Sequence, residues 1–220
     1  MPPLAWLDPG ASPELLPDPA QALAEPNGLL AVGGALSPEW LLAAYRRGIF
    51  PWFGRGQPIL WWSPDPRAVI RPETFRPSRS LAQSIRNRGY ELKINSDFAA
   101  VIAACAAPRA GGGGTWIGAA MRRAYEELHR LGHAHSFETW SEGRLVGGLY
   151  GVQVGRLFSG ESMFSRARDA SKVALAQLIA HARATGIGLI DCQLPTPHLQ
   201  SLGAESLTRA EFLRLIAPLT

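Results

Sequence analysis

This chain is poor in lysine and in cysteine. Lysine occurs twice in 220 residues, at Lys93 and Lys172, against twenty arginines. The two cysteines, Cys105 and Cys192, are too few for a disulfide framework. No apolar run approaches the ~18 residues that a membrane span needs. The first thirty residues contain no Lys or Arg, so the charged start of a secretory signal is missing. Four glycines stand at Gly111 to Gly114, but no Gly-Lys-Ser/Thr follows them, which argues against a nucleotide P-loop and for a hinge carrying Trp116. His129 and His133 have helical i, i+4 spacing, yet Gly132 ends the helix between them and His-Glu-x-x-His order is absent. The expectation is a soluble cytoplasmic protein with no membrane partner, no nucleotide cofactor and no metal.

What is present is a workable core and an uneven charge. Apolar residues make up 46% of the chain, and the net charge is +4. From Met1 to Leu36 there are four acids and no bases. Between Arg67 and Lys93, six arginines and Lys93 face only Glu73 and Glu91, a local net of +5. Such a block in a near-neutral chain suits a polyanion partner, and the planar guanidinium suits phosphate. An ordinary solvated face is the alternative.

The pattern divides near Pro66. Residues 1–27 are rich in Pro and Ala and read as an extended arm or as partly disordered. Gly28 to Gly34 reads as a short strand or a buried turn. Ser37-Pro38-Glu39 opens a helix that Gly48 ends. Pro51, Pro58, Pro64 and Pro66 then make an aromatic-dense loop. Beyond it, Ser80 and Gln83 fit a capping box for a short basic helix. A strand over 90–95, helices over 97–107 and 118–131, and strands over 134–140, 144–154 and 157–164 follow. A helix over 169–185, a strand over 188–194 and a last helix capped by Thr208 and Glu211 complete the chain. Three consecutive strands with short turns predict antiparallel pairing inside a mixed α/β domain. The reading is therefore a small N-terminal domain, 1–66, and a mixed-sheet domain, 67–220.

The candidate chemistry gathers around Gly160-Glu161-Ser162-Met163-Phe164 and Asp191-Cys192-Gln193. Two acids and an amide on strand-like runs suggest a polar site in an apolar cleft, against the alternative of a buried sheet with one satisfied Glu. The first run lacks the second Gly of a serine nucleophile elbow, and Cys192 reads as a structural thiol. Trp52 and Trp116, on Pro- and Gly-rich loops beside the basic block, suit base stacking, whereas Trp61 and Trp62 suit packing.

These residues, in this order, resemble the leucyl/phenylalanyl-tRNA–protein transferase family. The resemblance is carried by Ala44 to Phe53, Leu60 to Arg67, Gly114-Thr115-Trp116-Ile117, Gly132 to Ser136, Leu145 to Val152, Gly160 to Ser165 and Ile190 to Gln193. It implies a small N-terminal domain joined to an acetyltransferase-like domain. It also implies transfer of Leu, Phe or Met from aminoacyl-tRNA to proteins with N-terminal Arg or Lys, marking them for degradation. By the resemblance, Asp191, Gln193 and Glu161 are catalytic, with Asp191 orienting Gln193. Trp52, Trp116 and Tyr45 hold the terminal adenosine, and Leu149, Phe158, Leu178 and Ile190 line the aminoacyl pocket. The basic block makes Arg67, Arg71, Arg76, Arg79 and Arg86 candidates for the tRNA backbone. Two rivals are a coenzyme A acetyltransferase, whose glycine-rich pyrophosphate loop is missing at Arg168 to Lys172, and a non-catalytic RNA-binding module, which has no use for paired acids.

Overall fold

A long antiparallel meander forms the centre of the molecule. It comprises β7 (Ala134–Ser141), β8 (Arg144–Val154) and β9 (Leu157–Ser165). The β7–β8 turn puts Glu142 at φ 50° and Gly143 at φ 71°, two consecutive left-handed residues of the kind that match hairpin twist. The computed structural model describes residues 4–108 and 115–220, so the glycine run at 111–114 lies outside the described residues.

Four shorter strands complete the seven-stranded sheet: β5 (Arg67–Ile70), β6 (Glu91–Ile94), β10 (Leu189–Gln193) and β11 (Glu205–Leu207). The order is β11-β5-β10-β9-β8-β7-β6, and only β9 and β10 run parallel. A parallel neighbour needs a crossover, and α5 (Ala170–Thr185) supplies it. The mixed α/β class expected from the sequence is thus present.

A second, four-stranded sheet has the order β1-β2-β4-β3, with β1 (Ala5–Leu7), β2 (Leu29–Gly33), β3 (Phe50–Pro51) and β4 (Leu60–Trp62). Part of the N-terminal arm is therefore a strand, and the Pro-rich segment holds two short strands between its prolines. The apolar residues of this sheet do not form a separate core. Trp40, Leu41 and Tyr45 of α1 (Pro38–Arg46) join residues of α3 (Phe98–Ala106) and α4 (Ala119–Arg130), and Tyr150 and Val152 of β8, in one cluster. The opposite face of the large sheet packs on α5 and on α2 (Arg79–Asn87) through Phe137, Leu149, Phe158, Leu178 and Ile190.

Helix ends follow their sequence signals, with two corrections: Ser37 stands at the N-cap of α1 but its side chain makes no capping bond, and the cap of α2 is displaced. Ser78 caps α2, accepting from the N–H of Leu81, in place of the expected Ser80. Thr208 and Glu211 form the expected capping box on α7 (Arg209–Ile216), an arrangement worth about 1 kcal/mol. A short α6 (Pro197–Ser201) follows β10. Among the described residues, no helix is long and apolar enough to cross a membrane.

Candidate active site

Two β-bulges, on neighbouring parallel strands, build the site. Between β8 and β9 the register passes from Tyr150 opposite Ser162 to Gly151 opposite Gly160, leaving Glu161 as the extra residue. Between β10 and β5 it passes from Asp191 opposite Val69 to Gln193 opposite Ala68, leaving Cys192 extra. A bulge bends its strand and re-aims side chains. Phe158 and Met163, an odd number of residues apart, consequently pack in the same cluster beside α5. Gly151 is required at the first bulge, because a Cβ there would lie 2.3 Å from the Ser159 carbonyl oxygen.

Glu161 thereby leaves the regular alternation and meets tyrosines from two helices. The Tyr125 hydroxyl donates to Glu161 Oε2 at 2.8 Å, and Tyr125 and Tyr45 share a hydroxyl–hydroxyl bond of 2.7 Å. Glu161 Oε1 accepts from the Gln193 carboxamide at 3.4 Å. Burial pushes the Glu161 carboxyl up to about 7, although the hydroxyls of Tyr125 and Tyr45 pull the other way. The same burial holds both tyrosine hydroxyls well above their ordinary range, so they stay protonated and donate.

Asp191 stands behind this wall. It is 1% exposed and paired with Arg67, equally buried. Arg67 Nε donates to Oδ1 at 2.8 Å and Nη2 to Oδ2 at 2.7 Å. Oδ1 also accepts the Gln193 main-chain N–H at 3.0 Å. The expected link between Asp191 and Gln193 thus runs through the backbone, while the Gln193 carboxamide turns to Glu161. Gln193 has φ 59°, a left-handed conformation uncommon for a residue with a Cβ.

The two strands open onto a cavity of about 410 Å³. Glu161, Gln193 and Cys192 line it, with Leu149, Leu178 and Ile190 on the apolar side and Trp52 and Trp116 at the wall. Its volume lies within the usual range of small-molecule sites, about 300–1,000 Å³. Burial raises the Cys192 thiol far above its ordinary value, so it is no ready nucleophile. Glu138, a further buried acid, is held by the Asp97 main chain, Ser136 and Trp140 and does not line the cavity. His129 Nδ1–H donates to the Ala134 carbonyl, and the ring stacks on Phe98. Among the described residues no cluster of three His, Cys, Asp or Glu side chains is placed to hold a metal ion.

Four sequence expectations need correction. Tyr45 is 1% exposed and bonded to Tyr125, so it supports Glu161 and offers no face to an adenine. Phe158 is fully buried against Phe137, behind the cavity wall. Met163, Leu175 and Leu199, which the sequence did not assign to the pocket, line the cavity instead. Arg67 is inaccessible to a tRNA backbone. Arg71 is matched by Glu205 across β5 and β11. Arg76, Arg79 and Arg86 are exposed, and none of them forms an ion pair among the described residues. Trp61 is a core residue stacked on Trp40, as expected, and Trp62 donates its indole N–H to the Trp52 carbonyl. Trp52 is 41% exposed. Asp169 heads α5 with a left-handed backbone and holds Ser84, an acid where a coenzyme A pyrophosphate would need donors.

Comparison with known proteins gives a consistent picture. Residues 34–65 match the family model for the leucyl/phenylalanyl-tRNA protein transferase N-terminal domain, and residues 69–217 match the model for leucyl/phenylalanyl-tRNA protein transferase. A leucyl/phenylalanyl-tRNA–protein transferase of Azoarcus sp. (strain BH72) is 60% identical over 196 residues, covering 89% of this chain and 83% of that protein. One from Thiobacillus denitrificans (strain ATCC 25259 / T1) is 56% identical over 212 residues, covering 96% and 93%. Among solved structures, L-PGS from Bacillus licheniformis is only loosely alike, with TM-score 0.42 and 13% identity over 73% of this chain and 52% of that one.

Proposed function

The chain belongs to the leucyl/phenylalanyl-tRNA protein transferase family, whose members are aminoacyltransferases, and from that premise we propose that the cavity beside Glu161 and Gln193 is where the aminoacyl ester meets the acceptor amine. The single observation that carries the placement is the pair of bulges, which turns an acid and an amide from neighbouring strands toward one apolar cavity.

The ester is already activated, so the protein need only bind, orient and handle a proton. The acceptor N-terminal ammonium loses its proton near pH ~7.7–8.0. Glu161, held near 7, is matched to take it. The freed amine attacks the ester carbonyl carbon, the C–N bond forms, and the bond to the tRNA ribose oxygen breaks. That oxygen leaves with the proton held by Glu161, and the carboxylate so restored takes the second proton that the nitrogen sheds as the amide forms. The Gln193 carboxamide fixes the carboxylate and borders the reacting carbonyl. Trp52 and Trp116 take the terminal adenosine, and Leu149, Leu178, Ile190 and Met163 take the amino-acid side chain.

The same reading assigns the acceptors as proteins beginning with Arg or Lys, the donors as Leu, Phe and Met, the outcome as degradation of the modified protein, and the compartment as the cytoplasm. Pro66 is the junction between a small N-terminal domain and the catalytic domain. Incubating the protein with charged leucyl-tRNA and peptides beginning with Arg, Lys or Ala tests the acceptor rule. Equal transfer to the Ala peptide would remove it.

Because the residues assigned to the amino-acid side chain, Leu149, Leu178, Ile190 and Met163, are apolar, selection rests on shape. Such pockets distinguish one methylene by only ~1–3 kcal/mol. Leu, Phe and Met should all be donors, and β-branched Ile and Val poor ones. Transfer of Ile at the leucine rate would contradict Leu149 and Leu178 as the wall.

Recognition of the tRNA body is expected to be electrostatic and indifferent to sequence. Neutralising Arg76 and Arg79 together should weaken binding of every charged tRNA alike and lower the salt slope by about 1–2. A loss confined to one isoacceptor would contradict this.

A further inference from the structure

We propose that Arg67 is a positioning residue for aminoacyl transfer, acting through Asp191 on Gln193; this rests on the reading of the cavity as the transfer site. Arg67 lies on β5, 124 residues before its partner, and is 1% exposed. Its guanidinium sits between two rings, 4.8 Å from the centre of Phe50 and 4.6 Å from that of Phe212. Two parallel bonds fix the plane of the Asp191 carboxylate. Among the described residues, Nη1 is buried with no hydrogen-bond partner.

Stability alone is a weak reason for this arrangement. Replacing a buried ion pair by apolar residues of similar volume is often neutral or stabilising. What an apolar pair cannot supply is direction. With both oxygens held, Asp191 Oδ1 presents a fixed acceptor to the Gln193 N–H at 3.0 Å. That bond holds the left-handed bulge at Gln193, and the bulge aims the carboxamide at Glu161. The Phe50–Arg67–Phe212 stack keeps the guanidinium from rotating, so segments from the N-terminal part, β5 and α7 all define one carboxamide position. Lysine, a point charge on a flexible stem, keeps the charge of Arg67 without its fork.

Arg67→Lys, Gln193→Ala and the double variant test this by single-turnover transfer from charged leucyl-tRNA to a peptide beginning with Arg. The dissociation constant for charged tRNA and the folded fraction are measured on the same preparations. Arg67→Lys should slow transfer by up to about 10²-fold, the cost of a small misplacement, while tRNA affinity stays within about 3-fold. In the Gln193→Ala background the same change should alter the rate by less than about 2-fold, because residues acting as one unit are non-additive. A wild-type rate for Arg67→Lys, an equal loss in both backgrounds, or a loss of affinity with an unchanged rate would each overturn the proposal. Should Arg67→Lys fail to fold, Arg67→Met with Asp191→Leu keeps the packing. That variant should fold and transfer at the Gln193→Ala rate, and a wild-type rate in it would also overturn the proposal. A wild-type rate for Gln193→Ala alone would instead remove the cavity reading, and Arg67 with it.

Discussion

Glu161→Gln is expected to slow single-turnover transfer by about 10²–10⁴-fold, the usual range for loss of a general base. Glutamine keeps the size and still accepts from Tyr125, so the cavity should survive. What disappears is a carboxylate held at about 7 by burial. Proton transfer from an ammonium of pKa ~7.7–8.0 to such a base is nearly balanced, which is the favourable case for catalysis near neutral pH. In the unsubstituted enzyme the rate should rise with pH through about 7 as Glu161 ionises. In Glu161→Gln only the limb belonging to the amine should remain. Stability should move the other way. Because the folded-state value is raised above 4.5, the folded protein holds the proton more tightly than the unfolded chain does. Its contribution is complete below about 4.5 and is lost as pH rises through about 7, amounting to up to about 3 kcal/mol. Glu161→Gln should therefore match or exceed the parent in melting temperature at pH 8 while being far slower. Rates from pH 5.5 to 9 and melts at pH 5 and 8 check both halves. A variant that keeps the limb near pH 7 would take Glu161 out of the mechanism.

Asp191→Asn should give the largest loss of stability among the site variants. The charge of Arg67 would be left buried without its counter-ion, and the new amide would turn a donor toward donors. Breaking a buried pair in this way costs about 3–5 kcal/mol, which for a chain of this length lowers Tm by roughly 10 °C. Transfer should fall as well, even per folded molecule, because the Gln193 main chain loses a charged acceptor. Thermal melts and single-turnover rates corrected for folded fraction separate the two effects. An Asp191→Asn protein with unchanged Tm and unchanged rate would mean that Asp191 neither holds the wall nor acts in the reaction.

The sequence was clearest where elements are long and regular. β7, β8, β9 and α5 could be placed because alternation and helical period persist over eight or more residues. β5 and β11 are four and three residues long, too short to show a period. Arg67 was misassigned for a physical reason. A charge is ordinarily a surface residue, and its partner Asp191 is too far along the chain for any local pattern to join them. Tyr45 was misplaced similarly, since its motif could be read but its hydrogen bond to Tyr125, on another helix, could not. Glu161, Asp191 and Gln193 stand out in the sequence together, with Asp191 and Gln193 as the expected pair, but the geometry that brings Glu161 to Gln193 is a register shift. A bulge leaves no mark in composition or spacing beyond the glycines around it.

That register shift bears on length as well as on chemistry. Side chains alternate across a strand with period two, so adding or removing one residue moves everything beyond it to the other face. Between Gly160 and Ser162, strand β9 carries one residue more than β8 can pair. A bulge is the exception: shortening β9 by that residue would let the ladder close without a gap, with Gly160 still opposite Gly151, Ser162 opposite Tyr150 and Met163 opposite Leu149, so that only the acid would be lost. The resulting sheet would be more regular and would have no acid to present. The proposed catalytic position is the surplus residue itself, so on that proposal the strand has to be one residue too long for the enzyme to have its site.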